Sequence, residues 1–187
     1  MNKTNAKKLL SDADIFAQHI VSAIDCLDQS SAMDRIFSDP KHLGAYKEAP
    51  HFYRTAYLAM LFRAEMELYK LFDQKGKSFD SFKNELARNG LLRTDNGKDY
   101  KDAKKEAKND IETIRLRRNK VQAHSDAEFF NNPDVFVENH AVQWSNIRNL
   151  LDCMLKICDW AIICCTQEGI GQTYSTINSD DFVQLFN

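Results

Sequence analysis

Residues that interrupt a helix are scarce in this chain: three prolines and six glycines in 187 residues. Proline removes a backbone donor and glycine leaves the backbone unconstrained, so a chain poor in both can hold long helices. It also lacks the frequent turns that a many-stranded sheet requires. Between the interruptions, apolar side chains recur three and four residues apart, the spacing that lines one face of an α-helix. The expected fold is therefore all-α, a helical bundle of about five helices in a single domain over residues 1–187. A chain of this length buries roughly 70% of its unfolded surface and needs no disulfide or metal to hold a core.

The pattern predicts the elements one by one. Leu9, Phe16, Ile20, Ala23, Ile24 and Leu27 place a first helix from about Ala6 to Leu27. Ser30-Ser31 and Ser38-Asp39-Pro40 break the pattern, and Pro40 to Pro50 reads as a loop. A second helix starts at Pro50 or His51, where proline's missing N–H has no partner anyway, and runs to about Asp73. It is apolar nearly all round from Phe52 to Phe62, the mark of a helix at the buried centre of a bundle. Ser78 is an N-cap for a third helix from Phe79 to Arg88, and Asn89-Gly90 ends it. Asp95-Asn96-Gly97 reads as a turn. A fourth helix then runs from Lys98 to about Ala123 on a narrow, alanine-rich stripe of Tyr100, Ala103, Ala107, Ile111, Ile114, Arg118 and Val121. Such a stripe can pack closely against a neighbour. Asp126 to Asn139 is an unusually apolar loop that should fold back over the bundle. A fifth helix is expected from Ala141 to Glu168, ended by Gly169, and a short last one over 179–186.

Composition narrows the function. The net charge of −2 excludes a globally basic nucleic-acid binder but not a local basic face. Basic residues do outnumber acidic ones from Lys101 to Lys120. The first residues lack an apolar core of export-signal type, and no run approaches the roughly 18 apolar residues of a membrane helix. A cytoplasmic protein without membrane contact is expected. Of five cysteines, four crowd between Cys153 and Cys165 without C-x-x-C spacing, so they read as core packing rather than a zinc site. His19, His42, His51 and His140 are scattered, and no metal or cofactor is expected.

The chemistry concentrates near the end of the fourth helix. Arg118 sits on the apolar stripe, where a guanidinium must be paired or must face a cleft. His124 follows six residues later. Arginine offers a planar fork of donors that fits phosphate oxygens and keeps its charge. Histidine exchanges a proton near neutral pH. Together they can cleave RNA without metal. Arg115, Arg117 and Lys120 would then contact RNA, although a basic cluster at a helix C-terminus is also favoured by the dipole alone. Tyr53, Tyr57 and Tyr69 read as core, and Arg54 and Arg63 as partners of acids such as Glu67.

The run Arg118-Asn119-x4-His124, followed by Ser125-Asp126, resembles the signature of HEPN domains. The longer string Leu116 to Asp126 is similar to the AbiU-type branch of bacterial abortive-infection proteins. A second patch, Phe52-Tyr53-Arg54-Thr55-Ala56-Tyr57 leading to Lys70-Leu71-Phe72-Asp73, matches as well. The resemblance covers the chain from the second helix onward. It implies an up-and-down helical core that pairs as a homodimer, with the Arg/His motifs meeting across the interface in one metal-independent ribonuclease site, and the fourth helix with its alanine stripe and Arg118 is then the expected dimer interface. Many such proteins are toxins or phage-defence effectors that cut tRNA or mRNA, some under control of an antitoxin. On that pattern Arg118 and His124 are catalytic, Asn119 orients the pair or bonds the phosphate, and Asp126 partners the histidine. Arg117 also fits the motif, one residue further from His124. The alternative reading is a non-catalytic HEPN-like module that binds RNA, a nucleotide or a partner protein. A third is a helical scaffold whose charged motif serves structure alone.

Overall fold

A computed structural model describes residues 3–72, 77–119 and 139–166. These residues form seven helices and no strand, so the all-α class holds and the number of helices exceeds the expected five. The first helix, α1, spans Lys3–Ser38 and is longer than the sequence suggested. Ser30 and Ser38 do not break it, because their hydroxyls donate back to the carbonyls of Leu27 and Asp34, each at 2.9 Å. The buried stripe continues past Leu27 through Ala32, Met33 and Ile36. Between the two prolines lies a short helix, α2 (Leu43–Glu48), in place of an irregular loop.

Helix α3 spans Pro50–Phe72, and proline does occupy its first turn. Its first half is not the buried centre of the bundle. The fully buried positions begin at Leu61, while Phe52 remains 68% exposed. Tyr53 and Tyr57 pack instead on Phe37 of α1 in a half-buried aromatic group, with ring centroids 5.8 and 6.4 Å away. Helix α4 (Phe79–Arg88) follows the sequence reading closely. Ser78 Oγ accepts the Ser81 N–H at 3.3 Å. At the other end Gly90 adopts φ +70°, a left-handed conformation that costs glycine little. That turn brings the N–H groups of Gly90 and Leu91 back to the carbonyls of Ala87 and Leu86 at 3.1 and 2.9 Å.

The expected fourth helix is two helices, α5 (Thr94–Glu106) and α6 (Lys108–Arg117). They meet at Ala107, whose ψ of 4° departs from the helical value while its N–H still bonds Ala103 O at 2.9 Å. The Ile111 N–H likewise bonds Ala107 O at 2.9 Å, so the hydrogen-bond ladder continues through the junction. Asp95-Asn96-Gly97 lies in the first turn of α5, where an acidic residue is favoured by the helix dipole. The last described helix, α7, spans Trp144–Cys165. A buried carboxylate caps it: Asp110 of α6 accepts the Gln143 N–H at 2.7 Å and the Asn146 side-chain amide at 3.1 Å.

One apolar core joins these elements. Helix α1 packs along α3 and α7, and α5 lies against α7. Phe16 of α1 meets Phe79 and Phe82 of α4 at 5.4 and 5.1 Å between ring centroids, and Phe79 meets Tyr100 of α5 at 5.4 Å. Tyr100, Ala103, Ala107, Ile111 and Ile114 all belong to this core. The alanine-rich stripe is thus filled from within the chain and cannot be the dimer interface expected from sequence. Cys153 and Cys158 are buried, and Cys26, Cys164 and Cys165 half-buried, all as free thiols. Burial pushes each of these thiols above its ordinary pKa, which suits packing better than reactivity. No helix among the described residues is long and apolar enough to cross a membrane. The end of the second helix at Asp73, the Asp126–Asn139 loop as far as 138, Gly169 and the helix over 179–186 lie outside the described residues.

Candidate functional site

The basic cluster divides over two faces of α6. Asp110, Ile111, Ile114 and Arg117 form its inner face. Arg117, not Arg118, is the arginine on the buried stripe. It is 7% exposed, and its Nη2 lies 3.1 Å from Oε1 of Glu65, a wholly buried side chain of α3. The sequence placed Arg118 there because Ala107, Ile111, Ile114 and Arg118 keep an unbroken helical phase. Arg117 and Arg118 lie three and four residues past Ile114, both within helical reach of its face, and the pairing with Glu65 of α3 turns Arg117 inward.

Arg118 consequently lies beside the core rather than in it. Its guanidinium carbon stands 4.3 Å from the centroid of the Tyr69 ring on α3, a cation–π arrangement. Nη1 donates to Oδ1 of Asn119 at 3.0 Å. Among the described residues no carboxylate pairs with Arg118. The group is therefore held over a ring and steadied by one amide, with no carboxylate partner among the described residues. A planar cation in that state is suited to bind phosphate oxygens through two parallel N–H bonds. Tyr69, read from sequence as core, is half-buried and serves as the platform.

Arg115 does something different. Its Nη2 donates to the carbonyl of Phe72 at 2.8 Å, satisfying an acceptor at the end of α3, and Nη1 bonds Glu112 at 2.9 Å. Lys120, His124 and Asp126 lie outside the described residues. The structure therefore brings together Arg115, Arg117, Arg118 and Asn119 on one end of α6 and assigns a buried ion pair to the second of them.

A buried acid on α3 was legible only in part. Glu67 is 1% exposed and collects Arg63 Nε at 2.8 Å, Lys70 Nζ at 3.0 Å and His19 Nδ1 of α1 at 2.7 Å. The Arg63 and Lys70 contacts follow from helical spacing, while the histidine comes from a distant element. Burial alone would raise the Glu67 pKa. Hydrogen bonds from Lys70 and His19, with the charges of Lys70 and Arg63, outweigh it and hold the carboxyl below the ordinary glutamate range.

The model of the AbiU2 family, a family of HEPN domains, matches residues 13–185. This chain belongs to that family. The match takes in both patches that carried the resemblance, including the whole string from Leu116 to Asp126. No curated protein and no solved structure matches the chain. Of the two arginines that fit the motif of this HEPN domain, Arg118 is half-buried against Tyr69 and Arg117 is paired in the interior.

Proposed function

We propose that this HEPN domain is a metal-independent endoribonuclease of toxin or phage-defence type. It works as a homodimer in which the Arg118 and His124 motifs of two copies meet in one composite site. The observation that carries the reading is Arg118 held over the Tyr69 ring, without a carboxylate partner among the described residues, six residues ahead of His124 in a chain of this family. His124 takes the proton of a ribose 2′-hydroxyl, and the 2′ oxygen attacks the adjacent phosphorus. The bond from phosphorus to the 5′ oxygen of the next nucleotide breaks, and that oxygen receives a proton. The products are a 2′,3′-cyclic phosphate and a 5′-hydroxyl. Arg118 holds the non-bridging oxygens as negative charge grows on them. Asn119 keeps the guanidinium in its plane, and Asp126 partners His124. Lys120 and the exposed side of Arg115 contact the RNA backbone. Arg117 is excluded from that set by its pairing with Glu65. The substrate is tRNA or mRNA, and an antitoxin partner would hold the activity in check.

The test uses the purified full chain, total tRNA and a chelator, with His124→Ala beside the wild type. Discrete fragments ending in a cyclic phosphate, from the wild type only, are expected. A folded wild-type protein that binds tRNA and leaves it whole would replace this reading with that of a non-catalytic binding module.

A further inference from the structure

A cleft of about 410 Å3 opens where the end of α3 and the start of α4 face α5 and α6. Four lysines line it, Lys101, Lys104, Lys105 and Lys108, with Arg115 at one end. Two carboxylates share the lining, and both are already engaged. Asp80 accepts the Tyr100 hydroxyl at 2.9 Å and is paired with Lys104, and Glu112 is paired with Arg115. Burial would raise the Asp80 pKa, but the hydrogen bonds from Lys104 and Tyr100 hold it down, so it stays ionised and bound. Lys101, Lys105 and Lys108 are exposed and meet no carboxylate among the described residues. A chain of net charge −2 thus presents three cations in one concavity beyond the two that pair with its acids. Low-dielectric walls strengthen the field there.

The row is rigid as well as basic. Tyr100, Ala103, Ala107 and Ile111 lock the opposite face of α5 and α6 into the core. Lys101 and Lys105 stand about 6 Å apart along the helix axis at 1.5 Å per residue, comparable to the separation of neighbouring phosphates in a strand. The cleft also points somewhere. Arg115 meets Phe72, and one turn further along α6 Arg118 meets Tyr69, one turn back along α3. The α3–α6 seam therefore joins the lysine row to the motif arginine.

We propose that this cleft is a track for the phosphodiester backbone of a single RNA strand, gripped by Lys101, Lys105 and Lys108 and led toward Arg118. The direction of the track rests on the ribonuclease reading, and the binding does not.

The test measures binding of a labelled single-stranded oligoribonucleotide with 2′-O-methyl groups, which cannot be cleaved through the 2′ oxygen. The wild type is compared with the triple variant Lys101→Gln, Lys105→Gln, Lys108→Gln over a series of salt concentrations. All three side chains are exposed, and an unchanged thermal midpoint confirms that the variant is folded. The expected result is at least tenfold weaker binding, with the slope of log affinity against log salt reduced by about two, near 0.7 per lost phosphate contact on a single strand. Equal affinity and slope in the two proteins would overturn the track. Displacement of the oligonucleotide by equimolar inorganic tripolyphosphate would also overturn it, in favour of a small-polyphosphate site. tRNA cleavage is assayed separately. Lysine-dependent binding without cleavage supports the track and removes the ribonuclease reading, and cleavage with lysine-independent binding does the reverse.

Discussion

The guanidinium of Arg117 and the carboxylate of Glu65 face each other at 3.1 Å between α6 and α3, both buried. The next residue along, Arg118, projects to another face and lies on an aromatic ring. Adjacent arginines of one motif therefore do separate jobs. Removing one partner of a buried ion pair leaves the other charged and desolvated, at a cost of about 3–5 kcal/mol. Glu65→Ala and Arg117→Ala should each lower the urea midpoint strongly. Arg118→Ala should leave it nearly unchanged while abolishing cleavage. Replacing the pair together, Glu65→Leu with Arg117→Met, should recover most of the stability and keep the cleavage. A double variant that is stable but inactive would return Arg117 to the candidate catalytic groups.

Tyr69 supplies a surface rather than a hydroxyl to Arg118. Tyr69→Phe should cleave RNA at the wild-type rate. Tyr69→Leu loses a cation–π contact of about 0.5–1 kcal/mol, and the rate should fall by a few-fold without loss of fold. Single-turnover rates on one tRNA substrate decide this. Equal rates in Tyr69→Leu and the wild type would mean that the ring does not position the guanidinium.

Glu67 makes stability depend on acid. Its pKa is depressed in the folded chain, so the stabilisation it confers is complete above about pH 4.3, the ordinary glutamate value. That stabilisation is lost as pH falls below this value through the depressed one. Glu67→Gln should be less stable at pH 7 and should show a flatter loss of stability on acidification. Urea unfolding at a series of pH values from 3 to 7 measures both. Parallel acid limbs in the two proteins would assign the acid sensitivity to other carboxylates.

A composite site predicts complementation between two inactive proteins. Arg118→Ala and His124→Ala should each be inactive alone. Mixed under conditions that exchange protomers, they form heterodimers that hold one intact arginine and one intact histidine, and cleavage should return. Sedimentation should give twice the chain mass for the wild type. A monomeric wild type that cleaves, or mixtures that stay silent despite exchange, would place the whole site within one chain.

Much of this molecule was legible without coordinates. The all-α class follows from sparse glycine and proline. The limits of α4 follow from Ser78 and Gly90, the start of α3 from Pro50, and the family from the string around Arg118 and His124. These are local signals, carried by backbone propensity, capping chemistry and a short run of side chains, and they survive whatever the rest of the chain does. The facing of each helix is not local. Arg117 and Arg118 are neighbours in sequence, three and four residues past the buried Ile114, and spacing along one helix does not decide which of them turns inward. The acid that receives Arg117 lies on α3, far away along the chain. Ser30 reads as a break until its hydroxyl finds Leu27 within an unbroken α1. The apolar run at the start of α3 reads as core until packing leaves Phe52 outside, and the alanine stripe reads as an interface until α7 fills it. Sequence determined the all-helical class, the limits of the well-capped helices and which residues carry charge. Tertiary packing alone decided which charges are buried and paired and which stay available to a ligand, because that depends on neighbours that no spacing along one helix encodes.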